Sequence, residues 1–171
     1  MKRLIILFAA LLLSACYDSD QLLLDPDAAV RPLADGLYVR QGGDKARFQL
    51  TQEPDGWYRV EAVEADGLLG ESHRVLVTRA SAGGANDYVI AAETPDGFVY
   101  AVAHLDGRRV FLATPDCADS LDRSLALDQG ATGDEDEPMT RRCHFKTRDA
   151  VLPALAAFAG SAEFGAPYLR Q

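Results

Sequence analysis

The stretch ARFQLTQEPDGWYRVEAVE, residues 46–64, decides the fold class. Ala46, Phe48 and Leu50 alternate with Arg47, Gln49 and Thr51, a period of two that puts the apolar set on one face of a strand. Pro54-Asp55-Gly56 then supplies turn chemistry: proline presets one backbone angle and glycine accepts the left-handed one. A second run, Trp57 to Glu64, follows, with Tyr58, Val60 and Ala62 on one face. Two alternating runs around a tight turn read as an antiparallel pair.

The same reading extends outward. A strand begins near Leu37, and further runs cover Ser72 to Arg79, Asp87 to Glu93, Phe98 to Leu105 and Arg108 to Thr114. TPDGF at 94–98 repeats the turn of EPDGW at 53–57, and Asp106-Gly107 reads as a two-residue hairpin turn. About seven strands joined mostly by tight turns predict a mainly β protein. The expected architecture is an antiparallel meander forming a sandwich or small barrel, with one C-terminal helix packed on it. Phe98 to Leu105 is apolar on both faces, so it is expected at the centre or under a helix.

Pro115 ends the β pattern. Leu121, Leu125 and Asp128 have helical spacing, which predicts a short helix within 117–129. Asp134-Glu135-Asp136-Glu137 reads as a solvated loop. A calcium site needs carboxylates that converge, and four in a row repel instead. Arg141 to Lys146 is a candidate last strand. Val151, Leu152, Leu155, Phe158 and Ala159 make one apolar helical face. Pro153 belongs near the first turn, so the helix is expected to start at about Asp149, capped by that side chain and stopped by Gly160. The tail holds Phe164, Pro167 and Tyr168, and either docks or stays free.

The N-terminus carries an address. Lys2 and Arg3 precede ten apolar residues, Leu4 to Leu13, and then Ser14, Ala15 and Cys16. A basic start, a short apolar run and a small-residue site make an export signal. At ~1.5 Å per residue the run reaches only ~15 Å, half of a ~30 Å hydrocarbon core. Leu13-Ser14-Ala15-Cys16 resembles the lipobox of bacterial lipoproteins. The resemblance implies cleavage before Cys16, a diacylglycerol thioether on it and an acylated new N-terminus. One chain holds a protein to a membrane only marginally, whereas several hold it durably. In such lipoproteins an Asp directly after the cysteine favours the inner membrane. Tyr17 stands there, so the outer membrane is favoured, with the protein facing the periplasm. The expected organisation is a signal peptide at 1–15, a lipid anchor and tether at 16–34, and a single β-rich domain at 35–171. Leu22-Leu23-Leu24 is the part of the tether that can dock instead.

Removing the leader takes Lys2 and Arg3 away and moves the net charge from −9 to −11. An acidic surface repels phosphate, so nucleic acid is not an expected partner. It repels anionic lipid as well, so the membrane is expected to be reached through the lipid on Cys16. With Cys16 assigned to lipid, Cys117 and Cys143 remain, and an oxidising compartment favours a disulfide between them. Loop entropy puts its contribution at roughly 3.5 kcal/mol. A zinc site is the rival reading, but the cysteines form no CxxC and the histidines are not paired at zinc spacing.

Chemistry is sparse. Ser72-His73 and Cys143-His144 are strand neighbours, whose side chains point to opposite faces. No P-loop, GxGxxG, HExxH or GxSxG occurs. His104 shares a face with Tyr100, Val102 and Asp106. It is the candidate ligand-binding residue, with Tyr100 and with Asp106 as its orienting partner, at the mouth of a barrel. No catalytic residue, metal or cofactor is expected.

Three functions follow as expectations. The first is a non-catalytic binding or assembly-support domain anchored in the envelope, with a protein partner there. The second is an acidic inhibitor of a cationic hydrolase. In outline this is similar to the small lysozyme-inhibitor lipoproteins, with no motif residues behind the analogy. The third is a small-ligand carrier or enzyme using a pocket near His104.

Overall fold

The computed structural model describes residues 17–43, 45–80, 84–133 and 142–171. In chain order the elements are β1 (Tyr17–Ser19), β2 (Gly36–Arg40), β3 (Arg47–Gln52), β4 (Tyr58–Val63), β5 (Leu69–Arg79), β6 (Asp87–Thr94), β7 (Gly97–Asp106), β8 (Arg109–Ala113), α1 (Ser120–Asp128), β9 (Cys143–His144), α2 (Arg148–Ser161) and β10 (Tyr168–Arg170). The seven long strands expected from the alternation are β2 to β8.

Consecutive strands β2 to β8 pair antiparallel in chain order. β10 then bonds to β8 on one side and to β2 on the other. This closes an eight-stranded barrel and leaves no sheet edge along the circuit. The tail therefore docks, and its last strand is the keystone.

Alternation assigns the two faces. Phe48, Leu50, Tyr58, Val60, Val75, Val77, Ile90, Ala101, Val110 and Tyr168 belong to an inner buried cluster. Leu76, Val89, Ala91, Tyr100 and Val102 lie on the outer face of β5, β6 and β7, under Val151, Leu155 and Phe158 of α2. The doubly apolar strand 98–105 is thus the helix-covered one. Burying a Val, Leu or Phe side chain stabilises by roughly 1.5–3 kcal/mol, which makes the outer helix layer a second core.

Cys117 and Cys143 are bonded, with Cα atoms 6.1 Å apart. The bridge ties the approach to α1 to β9. Asp119 caps α1, accepting from the backbone N–H groups of Leu121 and Asp122 at 2.8 and 3.2 Å. The buried residue of α1 is Ala126, whereas Leu121 is 54% exposed. The expected Leu121 face therefore points outward.

α2 departs from expectation at both ends. It begins at Arg148 after Thr147, so Asp149 lies in the first turn and favours the helix dipole by charge rather than as a cap. Pro153 falls in the second turn. Gly160 does not stop the helix, because its backbone stays helical and does not take the left-handed φ of a C-terminal cap. Ser161 ends it, its hydroxyl donating to the Phe158 carbonyl at 3.1 Å.

The segment expected as a tether is folded against the domain. Tyr17 is fully buried and Leu24 is 4% exposed. β1 lies between β7 (Asp18 opposite Val99) and β9, which runs parallel to it. β8 follows β7 only from Val102 to Asp106, and β1 takes over the vacated edge. The chain then crosses to β5, where Val30 N–H donates to Val77 O at 2.9 Å, and passes under one barrel end at Leu33. The leucine run docks because Tyr100 offers it a polar anchor. That hydroxyl accepts from Leu23 N–H at 3.0 Å and pairs with Ser19 Oγ at 2.7 Å.

Cys16 and the acidic run 134–137 lie outside the described residues, as does Arg141 of the candidate last strand.

Candidate functional site

The inner faces of the barrel do not meet. They surround a cavity of about 550 Å³, lined by Phe48, Leu50, Tyr58, Val60, Val75 and Ile90 among others. An eight-stranded barrel is at the size where side chains either fill the lumen or leave room for one small ligand. Here β6 and β7 turn Ala92, Ala101 and Ala103 inward, and these short side chains leave space beside the large rings of the facing strands. On the other wall Tyr38 and Phe48 stack with centroids 5.1 Å apart, and Tyr168 tilts against Phe48 at the same distance.

The two barrel ends differ. At the end formed by the start of β4 and the finish of β3, the segment through Leu33 closes the lumen. Tyr58 reaches it from inside: its hydroxyl donates to Leu33 O at 3.0 Å and accepts from Leu33 N–H at 3.1 Å. Gln52 adds a bond to the same carbonyl at 2.9 Å. Burial pushes the Tyr58 hydroxyl up to about 12, so it remains a neutral donor through the physiological range.

At the opposite end the cavity lining includes Arg40, Thr114, Asp119, Leu121, Asp122 and Glu163, contributed by the finish of β2 and β8, by α1 and by the segment after α2. This is the mouth. Asp122 is held above the ordinary carboxylate range, chiefly by burial, although its Oδ2 accepts from Asp116 N–H at 2.8 Å. The lumen thus offers an apolar body and a charged, mostly acidic rim. Ligand sites are commonly apolar cavities of ~300–1,000 Å³ with few polar groups at their margins.

The residues singled out from sequence lie elsewhere. His104 stands on the outer face of β7, not at the mouth. Its partner is Asp87, not Asp106: Nδ1 lies 2.6 Å from Asp87 Oδ1, and the hydrogen bond holds the Asp87 carboxyl below its usual range. The imidazole is flanked by the rings of Phe111 and Phe164, each 6.1 Å away. Asp106 instead faces Arg109 at 3.5 Å. Tyr100 is committed to the N-terminal segment. None of the three lines the lumen.

His73 is buried on β5 and Ser72 exposed, on opposite faces. His144 bonds to Asp18 at 2.8 Å, and Arg142 Nε reaches the other oxygen of that carboxylate at 3.2 Å. Among the described residues no three His, Cys, Asp or Glu side chains group closely enough to hold a metal. A barrel interior was among the expectations, but its lining was not identified, because inward-facing residues read alike in sequence whether they fill a core or line a cavity. The one available signal was the run of inward alanines in β6 and β7. Comparison with known proteins matches the chain to no family, no curated protein and no solved structure.

Proposed function

We propose that this is a lipid-anchored protein of the bacterial envelope whose barrel binds a small, largely apolar molecule without transforming it. The observation that supports the binding role is the 550 Å³ apolar lumen, closed at the Leu33 end and rimmed by polar groups at the other. The lipobox sequence supports the anchor, and Tyr17 after Cys16 favours the outer membrane. The cavity volume suits a drug-sized molecule. Among the described residues no side chain of the lumen wall is poised as a nucleophile with a neighbouring base, and the reading adopted is binding.

The anchor and the lumen belong to one arrangement. β1 starts one residue after Cys16 and runs beside β7 at Val99, only three residues from Val102, where β8 departs at the mouth. At ~3.3 Å per residue that separation is about 10 Å. Lipid on Cys16 therefore places the mouth close to the bilayer, with no spacer between, and an apolar ligand passes between membrane and lumen over a short path.

Native mass spectrometry of the protein purified from its own membranes tests this reading. The expected spectrum shows a chain beginning at Cys16 and carrying diacylglycerol, with a fraction retaining an added apolar molecule of a few hundred daltons. A full-length unlipidated chain with no bound mass contradicts both parts.

The inhibitor reading is favoured by one property, the acidity of the mature chain. It requires binding to a basic hydrolase that weakens with salt.

A further inference from the structure

A second, smaller pocket of about 150 Å³ lies at the closed end of the barrel, beyond Leu33. Its lining includes Leu33, Tyr38, Leu105, Arg108, Val110 and Arg170, and Leu33 and Val110 are shared with the main lumen. The two cavities are therefore separated by little more than the Leu33 side chain.

The two arginines are placed by the fold. Arg170 pairs with Tyr38 across β10 and β2, and Tyr168 and Val110 are directly opposed across β10 and β8. The same register carried two residues on puts Arg170 across from Arg108, in the β7–β8 turn. Both arginines line the pocket, Arg108 from the turn and Arg170 from the end of β10, and both are exposed there. Gly36 makes the room: a Cβ there would come within 2.8 Å of Arg170 Nε.

Two like charges facing one another cost stability. Elsewhere this acidic chain supplies counter-charges: Arg59 and Arg74 to Glu53, Arg109 to Asp106, Arg148 to Asp25. Among the described residues neither Arg108 nor Arg170 has an acidic partner within ion-pair distance. The neighbouring Asp35 turns an oxygen to the backbone N–H of Gln52 at 2.7 Å. The Tyr38 hydroxyl is spent on Ala34 O at 2.9 Å, so the guanidinium groups are the pocket's free donors.

We propose that this pocket binds an oxyanion group, a carboxylate or a phosphate, between Arg108 and Arg170. Guanidinium forks match the geometry of these groups and bind them bidentately. The site stands apart from the lumen-binding reading, although a shared wall at Leu33 allows one amphiphilic anion to occupy both.

Isothermal titration of the lipidated chain in nanodiscs of neutral lipid tests the proposal, with inorganic phosphate, hexanoate and hexyl phosphate as probes. Binding of phosphate or hexanoate is expected, weakened about tenfold or more by Arg108→Gln or Arg170→Gln and about twofold at most by Arg109→Gln, whose partner is Asp106. No binding by the wild type, or equal affinity in all four proteins, overturns the site. Tighter binding of hexyl phosphate than of phosphate, with that gain lost in Ala101→Phe, supports the site and identifies an amphiphile as its ligand. Equal binding of both, still sensitive to the arginines, supports the site and identifies a free small anion. Because Ala101→Phe alters only the lumen, failure of the lumen reading leaves the arginine comparison intact.

Discussion

Gly97 shows how one residue couples two parts of the fold. Its φ is +131°, which disfavours any side chain, and a Cβ there would overlap the carbonyl oxygen of Ser19. β1 can lie against β7 only because this position is bare. Gly107 has φ +60° and open space around it, so alanine there meets strain without a clash. Gly97→Ala should therefore lower stability by about 1–3 kcal/mol, and by more than Gly107→Ala. Thermal melts of the two variants side by side check this; equal losses would mean that β1 does not press on Gly97. The glycine was legible in sequence as a turn residue. Its second duty was not, since Ser19 is remote in the chain.

At the same scale, Asp87 carries a pH signature. The His104 hydrogen bond, assisted by the Gly84 N–H, holds its carboxyl below the ordinary value of 3.8 despite burial. Between the folded and unfolded values the unfolded chain binds more protons. The stabilisation is complete above the unfolded value and is lost as pH falls through the folded one. Stability of Asp87→Asn should thus fall less steeply than that of the wild type as the pH drops below the ordinary value of 3.8. Denaturant melts across that window give the slopes, and parallel slopes would contradict the pairing.

Among the elements, identical tripeptides make different turns. In EPDGW the pair Glu53 and Trp57 closes the loop, with Glu53 N–H donating to Trp57 O at 2.8 Å. In TPDGF, Thr94 pairs with Gly97, so Pro95 and Asp96 alone form the loop. The expected Asp106-Gly107 turn is shifted by one residue, because Asp106 pairs with Arg109 and leaves Gly107-Arg108 at the tip. Turn composition marks where a chain reverses; the register is set by what the strands bury. β2 to β8 were legible because five or more residues show the alternation. β1 and β10 have three residues each, too few to display a period, yet one replaces β8 beside β7 and the other closes the barrel. Closure itself is a long-range pairing that no local pattern encodes.

At the scale of the whole molecule, the sheet divides space in two. The outer face of β5 to β7 is filled by α2, Tyr17 and Phe145, whose rings are 5.1 Å apart in the last two cases. The inner face carries a buried cluster of its own but leaves a cavity along the barrel axis, so packed core lies on both sides of the sheet and the free space lies inside. His104 lies on the outer face, bonded to Asp87 and away from the cavity lining. Ala101 is the test position, since it faces the cavity from β7 and a ring there occupies space that the fold leaves empty. The most direct measurement is fluorescence titration of the wild type and Ala101→Phe with an apolar probe such as N-phenylnaphthylamine. A ligand-binding lumen predicts saturable one-to-one enhancement in the wild type, and a loss of about tenfold or more in affinity in a variant that melts cooperatively. Unchanged binding in Ala101→Phe, or no saturable binding by the wild type, would contradict a ligand-binding lumen.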